Sequence, residues 1–238
     1  MKRNKLHTIW LIGLLLLVAA CGDDEYHYPS VKLEFVTVKS GTDGKLQTLL
    51  PDKGDEMLVS KDRTNSTISP NNSKRVLANY EVLSSNGVAS ATIYSLQSLI
   101  TMPPKFKGEP GYGELTKTDP VDVVSIWMGR DYLNIILSLK AKGDVQHVFD
   151  LLGEVQEESE NGEKVVLLSL YHDAQGDAQY YNRRAYISVP LTKLVGEPDQ
   201  IVRIKFKYYT SDKDGNMIES DKYCNPDFEG FEYIPSAN

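Results

Sequence analysis

Between Val202 and Tyr209 apolar and polar side chains alternate without a break. Val202, Ile204, Phe206 and Tyr208 share one face; Arg203, Lys205, Lys207 and Tyr209 share the other. A period of two is the mark of a β-strand with one buried face, because successive side chains point to opposite sides of the sheet. The same period places Leu133, Ile135, Leu137 and Leu139 together, and Val76, Ala78, Tyr80 and Val82 together. No segment after the first twenty residues sustains the 3.6-residue period of a helix. The chain is therefore constrained to an all-β fold.

Turn chemistry divides the strands into two groups. Val31–Phe35 alternates, and the alternation shifts at Val36 and Val38, which predicts a bulge or strong bend. Gln47–Leu50 and Glu56–Ser60 are short strands around the turn at Pro51–Gly54, and 65–72 is a polar loop. Lys74–Leu83 and a long strand Val88–Ile100 flank Ser84-Ser85-Asn86-Gly87. Asn-Gly there is the favoured hairpin pair, since both positions need positive φ. Five short strands with a bend in the first suit a small closed barrel over residues 31–102. Residues 103–120 hold Pro103, Pro104, Pro110 and Pro120 with Gly108, Gly111 and Gly113. Such a segment suits neither helix nor sheet and reads as a linker. From 121 to 238 strands are expected at Val121–Met128, Tyr132–Lys140, Gln146–Leu152, Lys164–His172, Arg184–Pro190 and Val202–Tyr209. Lys164–His172 and Arg184–Pro190 are expected to pair through the loop 173–183. One helical turn is expected at Leu191–Val195, ended by Gly196, and a solvated acidic loop at Gln156–Glu163. This half reads as an immunoglobulin-like β-sandwich.

The start of the chain supplies an address. Lys2, Arg3 and Lys5 precede the apolar run Ile9–Val18, and small Ala19 and Ala20 precede Cys21. That is the layout of a secretory signal, and the run is too short for a bilayer span of ~20 residues. Val18-Ala19-Ala20-Cys21 looks like a lipobox, in which cleavage falls between Ala20 and Cys21 and the cysteine takes the acyl chains. Stable anchoring needs more than one such chain. The alternative is an ordinary signal with an incidental cysteine. Residues 21–30 then form an acidic tether. Asp23, Asp24 and Glu25 resemble the export signal of Bacteroidota surface lipoproteins; the alternative is a solvated spacer.

Charge and cysteine usage narrow the function classes. The whole chain carries a formal net charge of −7, and it becomes more negative once Lys2, Arg3 and Lys5 leave with the leader. Nucleic acid is a poor partner for such a chain, because phosphate binding relies on clustered Lys and Arg. No basic run in the mature chain is longer than Arg183-Arg184. Of two cysteines, Cys21 is committed to lipid and Cys224 is left alone, so no internal disulfide is available. Asp221, Asp227 and Glu229 beside Cys224 oppose a reactive thiolate.

Together these parts resemble the NigD-like lipoproteins of Bacteroidota. The resemblance rests on the leader, Tyr28-Pro29-Ser30-Val31, Leu58-Val59-Ser60, Lys74-Arg75-Val76-Leu77 leading to Tyr80, and Pro103-Pro104. It implies an N-terminal OB-type barrel and a C-terminal β-sandwich. The family name derives from a bacteriocin operon, so a link to immunity is implied by neighbourhood. No catalytic or binding residue is carried over.

Searches for chemistry return little. After the leader, His27, His147 and His172 are scattered, and no metal or cofactor site is expected. His172-Asp173 reads as a hairpin end. Asp212, Asp214 and Asn216 echo part of a calcium loop, but Glu219 is too close to supply the bidentate ligand, so turn chemistry is the better account. Nucleophile-elbow, P-loop and dinucleotide motifs are absent, and no catalytic residue is assigned. Tyr171, Tyr180, Tyr181 and Tyr186 are candidates for stacking on sugar, against the reading of half-buried strand residues. The expectation is a non-enzymatic lipoprotein at the outer membrane, facing the cell surface, that interacts with an envelope protein. A glycan- or nutrient-binding accessory protein is the alternative.

Overall fold

The computed structural model describes residues 29–143, 145–156, 163–194 and 200–235. The leader, Ala20, Cys21 and the Asp23-Asp24-Glu25 signal lie outside the described residues, as do the centre of the acidic loop 156–163 and Gly196.

Fifteen strands are present among the described residues. The barrel comprises β1 (Val31–Ser40), β2 (Leu46–Pro51), β3 (Met57–Asp62), β4 (Ser73–Ser85) and β5 (Val88–Ser98). It closes in the order β1-β2-β3-β5-β4, with β3 and β5 parallel. Val36, Val38, Leu49, Val76, Ala78, Tyr80, Ala91 and Ile93 fill its interior. The hairpin between β4 and β5 turns at Asn86 (φ 52°) and Gly87 (φ 79°), as the Asn-Gly pair requires.

The sandwich comprises β6 (Ile100–Thr101), β7 (Lys105–Phe106), β8 (Asp122–Gly129), β9 (Tyr132–Ala141), β10 (Val148–Val155), β11 (Lys164–Asp173), β12 (Tyr181–Pro190), β13 (Val202–Ser211), β14 (Met217–Tyr223) and β15 (Phe231–Tyr233). One sheet runs β14-β13-β11-β10-β7, with β15 also on β13; the other runs β6-β12-β9-β8. Leu133, Ile135, Leu137 and Leu139 face Val202, Ile204, Phe206 and Tyr208 across a core that also holds Leu151, Leu168 and Ile187. Both alternating runs read from the sequence thus face inward.

Four local expectations change. The shift at Phe35/Val36 is not a bulge: β1 pairs with β4 in unbroken register from Val31 to Lys39. Val36 and Val38 enter the barrel, whereas Phe35 packs outside it with Leu77 and Leu99. The strand is apolar on both faces because both are covered. The break in β1 falls instead at Lys39/Ser40, against β2. Second, β11 and β12 do not pair. β11 lies between β10 and a parallel β13, while β12 pairs with β9 in the opposite sheet. Residues 174–180 cross from one sheet to the other. Third, the long strand expected at Val88–Ile100 ends at Ser98, and Ile100–Thr101 leaves the barrel to pair with β12. Fourth, the Pro/Gly segment is not free of sheet: Lys105–Phe106 pairs in parallel with Leu152–Gly153. After Pro190, Thr192–Leu194 forms a single 3-10 turn.

Candidate functional site

Where the outer wall of the barrel meets the outer face of the β9–β12 sheet, a cleft of about 440 Å³ opens. The barrel contributes Leu33 and Phe35 from β1 and Leu77 from β4; the sheet contributes Trp127, Ile136 and Tyr186. Phe35 is the pivot. Its ring centroid lies 5.1 Å from Trp127 in a tilted pair and 6.2 Å from Tyr186 edge-on, geometries that suit the positive edges and negative faces of aromatic rings. Glu34, Asp52 and Lys53 supply the polar part of the lining. Leu33 remains 65% exposed at the cleft. An apolar slot with few polar groups has the character of a binding cleft, and positions between packed modules are common places for one.

A buried polar cluster beside the cleft fixes its two walls. Arg75 of β4 is 4% exposed. Its guanidinium donates to Asp52 on the β2–β3 turn, to Ser188 Oγ of β12 (3.1 Å) and to Asn134 Oδ1 of β9 (3.3 Å). Asn134 Nδ2 donates to the second Asp52 oxygen at 2.7 Å, and Ser188 Oγ donates to Asn134 Oδ1 at 2.8 Å. The face of Tyr132 lies 4.2 Å from the guanidinium carbon, within the range of a cation–π contact. Arg130, at φ 47° in the β8–β9 turn, donates to the carbonyls of Pro51 and Gly54. Barrel and sheet are therefore joined by directional bonds that have one solution, and the cleft keeps its shape.

The histidines are not scattered. His147 Nδ1 and His172 Nε2 are 2.8 Å apart, and His147 Nε2 lies 3.2 Å from Asp177. His172 Nδ1 faces the carbonyl of Asp119 at 3.0 Å, so it donates, and Nε2 of that ring accepts from His147. Phe149 stacks on His172 with centroids 4.7 Å apart. Burial pushes the pKa of His172 down, and the Asp119 carbonyl and nearby carboxylates only partly oppose this. Asp177 is held below the usual carboxylate range by the amide of Gly143, then by His147 and the amide of Lys142. These contacts pin Lys142, Gly143 and His147 against β11 and the loop that follows it. Among the described residues no group of three His, Cys, Asp or Glu is placed to hold a metal.

The remaining candidates fall apart in space. Tyr171 pairs with Tyr209 (6.0 Å) on the six-stranded sheet, Tyr186 is in the cleft, and Tyr180 and Tyr181 point outward at 67% and 64% exposure. Tyr180 and Tyr181 meet edge to face at 6.3 Å, and the four do not come together at one site. Asp212 spends its carboxylate on the amides of Asp214 and Asn216 and on the Asn216 side chain, which is turn chemistry. Cys224 is free and half-buried; burial and then Asp221 push its thiol pKa up. Sequence reading missed the Arg75 cluster and the Phe35–Trp127–Tyr186 cleft. The one available signal was an arginine that leads directly into an apolar run of a strand, at Lys74-Arg75-Val76-Leu77.

Comparison with known proteins follows the same division. Residues 35–99 match the NigD-like N-terminal OB domain and residues 104–221 the NigD-like C-terminal beta sandwich domain. A crystal structure of a NigD-like immunity protein from Bacteroides caccae is 60% identical, covers 89% of this chain and 100% of its own, and superposes with a TM-score of 0.78. A candidate toxin-related protein from Parabacteroides distasonis shares the fold at 20% identity and TM-score 0.64, over 87% of this chain and 95% of its own. A protein of unknown function from Bacteroides vulgatus does so at 16% and 0.60, over 87% and 93%. No curated protein matches the chain.

Proposed function

The chain belongs to the NigD-like family, and from that premise we propose that it is a non-catalytic interaction protein of the cell envelope with a role in bacteriocin immunity. Acyl chains on Cys21 hold it at the outer membrane, and Asp23-Asp24-Glu25 direct it to the cell surface. Its partner is a protein, and the candidate contact region is the aromatic cleft between barrel and sandwich. The observation that carries this reading is the 60% identity to a NigD-like immunity protein over 89% of the chain. The chemistry of the cleft supports it: the lining is apolar and aromatic, and its carboxylates are already engaged, Asp52 by Arg75 and Asn134, Glu34 by the Tyr80 hydroxyl at 2.8 Å. The four tyrosines of the glycan-binding alternative do not gather at one site: Tyr186 lines the cleft, Tyr171 pairs with Tyr209, and Tyr180 and Tyr181 pair with each other.

Deletion of the coding sequence, followed by challenge with spent medium from bacteriocin-producing strains, tests the role. Sensitivity restored to resistance by the full chain, but not by Cys21→Ser, is the expected result. A deletion strain as resistant as its parent to every producer would remove immunity from the proposal. A Cys21→Ser form that still fractionates with the outer membrane would remove the anchor.

A further inference from the structure

The linker closes only half of one side of the sandwich. β6 covers the edge of β12 at Ile187–Ser188, and β7 covers the edge of β10 at Leu152–Gly153. Beyond β6, Tyr181–Tyr186 pairs with β9 alone. Among the described residues no strand lies on its other side. An uncovered strand edge presents free N–H and C=O groups, a template for another chain. A groove of about 270 Å³ runs along this one, lined by Gln97, Ile100, His147 and Phe149 as well as by the edge itself.

Two arginines mark the edge. Arg183 and Arg184 are exposed. Arg183 donates to the carbonyl of Lys142 at 3.3 Å, and among the described residues neither arginine has a carboxylate partner. A bare pair of guanidinium groups runs against the net charge of −7. Adjacent strand residues point to opposite faces, so one arginine flanks each face of any strand added here.

We infer that the open edge of β12 docks an extended acidic segment of a partner protein, which adds as a strand beside Tyr181–Tyr186 and sets two adjacent carboxylate side chains opposite Arg183 and Arg184. The inference rests on the protein-interaction reading above and names the chemistry of the partner. Strand addition takes its affinity from main-chain hydrogen bonds and its selectivity from the alternate side chains. Self-pairing of two copies is disfavoured, since it would place arginine opposite arginine, and like charges across a strand pair repel. An anionic polysaccharide would satisfy the guanidinium groups but not the alternating amides and carbonyls.

The test uses the full chain in detergent and a fluorescent hexapeptide with two central glutamates flanked by valine and threonine. Three comparison probes accompany it: its backbone N-methylated twin, its lysine twin and a heparin-derived hexasaccharide. Binding of the glutamate peptide is expected, with amide exchange slowed across Tyr181–Tyr186. N-methylation should weaken it at least tenfold. The double change Arg183→Glu, Arg184→Glu should weaken it at least tenfold and create binding of the lysine twin. Both arginines are exposed, so this variant folds as the parent does. No binding at millimolar peptide, equal binding of the N-methylated twin, displacement by the hexasaccharide at equal concentration, or binding indifferent to the double change each overturns the inference. Cross-linking in intact envelopes separates the two levels. A protein partner captured equally by parent and double variant sinks the edge and leaves the interaction reading standing; capture of no partner by either sinks both.

Discussion

Arg75 and Asp52 meet in an ion pair within the barrel whose further hydrogen bonds reach into the sandwich. Arg75 rises from the barrel strand β4 and Asp52 sits on the β2–β3 turn; Arg75 also donates to Thr37 of β1, and the other bonds of the two run into the sandwich, to Ser188 and Asn134. Burial of an isolated charge is strongly unfavourable, so the pair holds only while every partner is present. The junction is thereby specified by polar geometry as well as by apolar contact.

Removing one partner exposes this dependence. Arg75→Ala strands the Asp52 carboxylate and the Asn134 and Ser188 side chains. A loss of about 3–5 kcal/mol is expected, the range for breaking one side of a buried pair. Urea unfolding checks it. Because apolar surface at the junction is also freed in the native state, the m-value should fall with the midpoint.

Gly129 carries the same cluster in steric form. It lacks a positive φ, so its smallness is not a matter of backbone freedom. A Cβ there would stand 2.1 Å from Asp52 Oδ2 and 2.6 Å from Asn134 Nδ2, closer than real atoms approach. Gly129→Ala should cost about 1–3 kcal/mol, as overpacking does. In an Asp52→Ala background part of that cost should vanish, because the two nearest atoms are gone and Asn134, released from its bond to Asp52, is left to shift. A double-mutant cycle measures the coupling, and additive losses would contradict the assignment.

The alternating run at Val202–Tyr208 was legible in the sequence because it buries one face and puts Arg203, Lys205 and Lys207 on the other. The runs at Leu133–Leu139 and Val76–Tyr80 were legible because polar Asn134, Ser138, Arg75 and Asn79 mark the opposite face, although Asn134 and Arg75 are buried there. Phe35 and Leu77 were not, because a strand covered on both sides carries no sign of which neighbour covers which face. The shift at Val36 therefore mimicked a bulge. His147 and His172 meet only because β10 and β11 pair in the register that sets Phe149 opposite His172, and no local pattern encodes that register. The parallel β11–β13 pair joins segments separated by β12 in the chain, so sequence adjacency pointed to the wrong partner. The candidate cleft was invisible for a related reason: its residues come from five strands that periodicity can place but cannot assemble.

The histidine pair makes stability depend on pH below neutrality. The pKa of His172 is lowered in the folded state, so between that value and its ordinary value near 6.5 the unfolded chain binds more protons. Stability then falls as pH drops below about 6.5. His172→Phe should flatten the thermal midpoint across pH 5–7 relative to the parent. The lowered pKa of Asp177 contributes separately, and its share disappears only as pH falls through the ordinary Asp value near 3.9 and below. An unchanged slope at pH 5–7 in His172→Phe would place the dependence elsewhere.

Tryptophan emission gives the junction its own reporter. The chain has two tryptophans, and Trp10 lies in the leader, so removal of residues 1–20 leaves Trp127 as the sole one. Its ring is packed on Phe35 at the cleft, where barrel meets sheet. If the polar cluster joins both modules into one cooperative unit, the emission change and the loss of far-ultraviolet dichroism should coincide in urea, as two-state unfolding requires. In Arg75→Ala the contact between Phe35 and Trp127 loses its directional support, and emission should shift to the red at lower urea than the dichroism changes. Phe35→Ala should shift emission in native buffer without moving the dichroism, since Phe35 packs outside the barrel interior. Coincident curves in Arg75→Ala, at whatever midpoint, would mean that apolar contact alone couples the modules and that the cluster only adds stability.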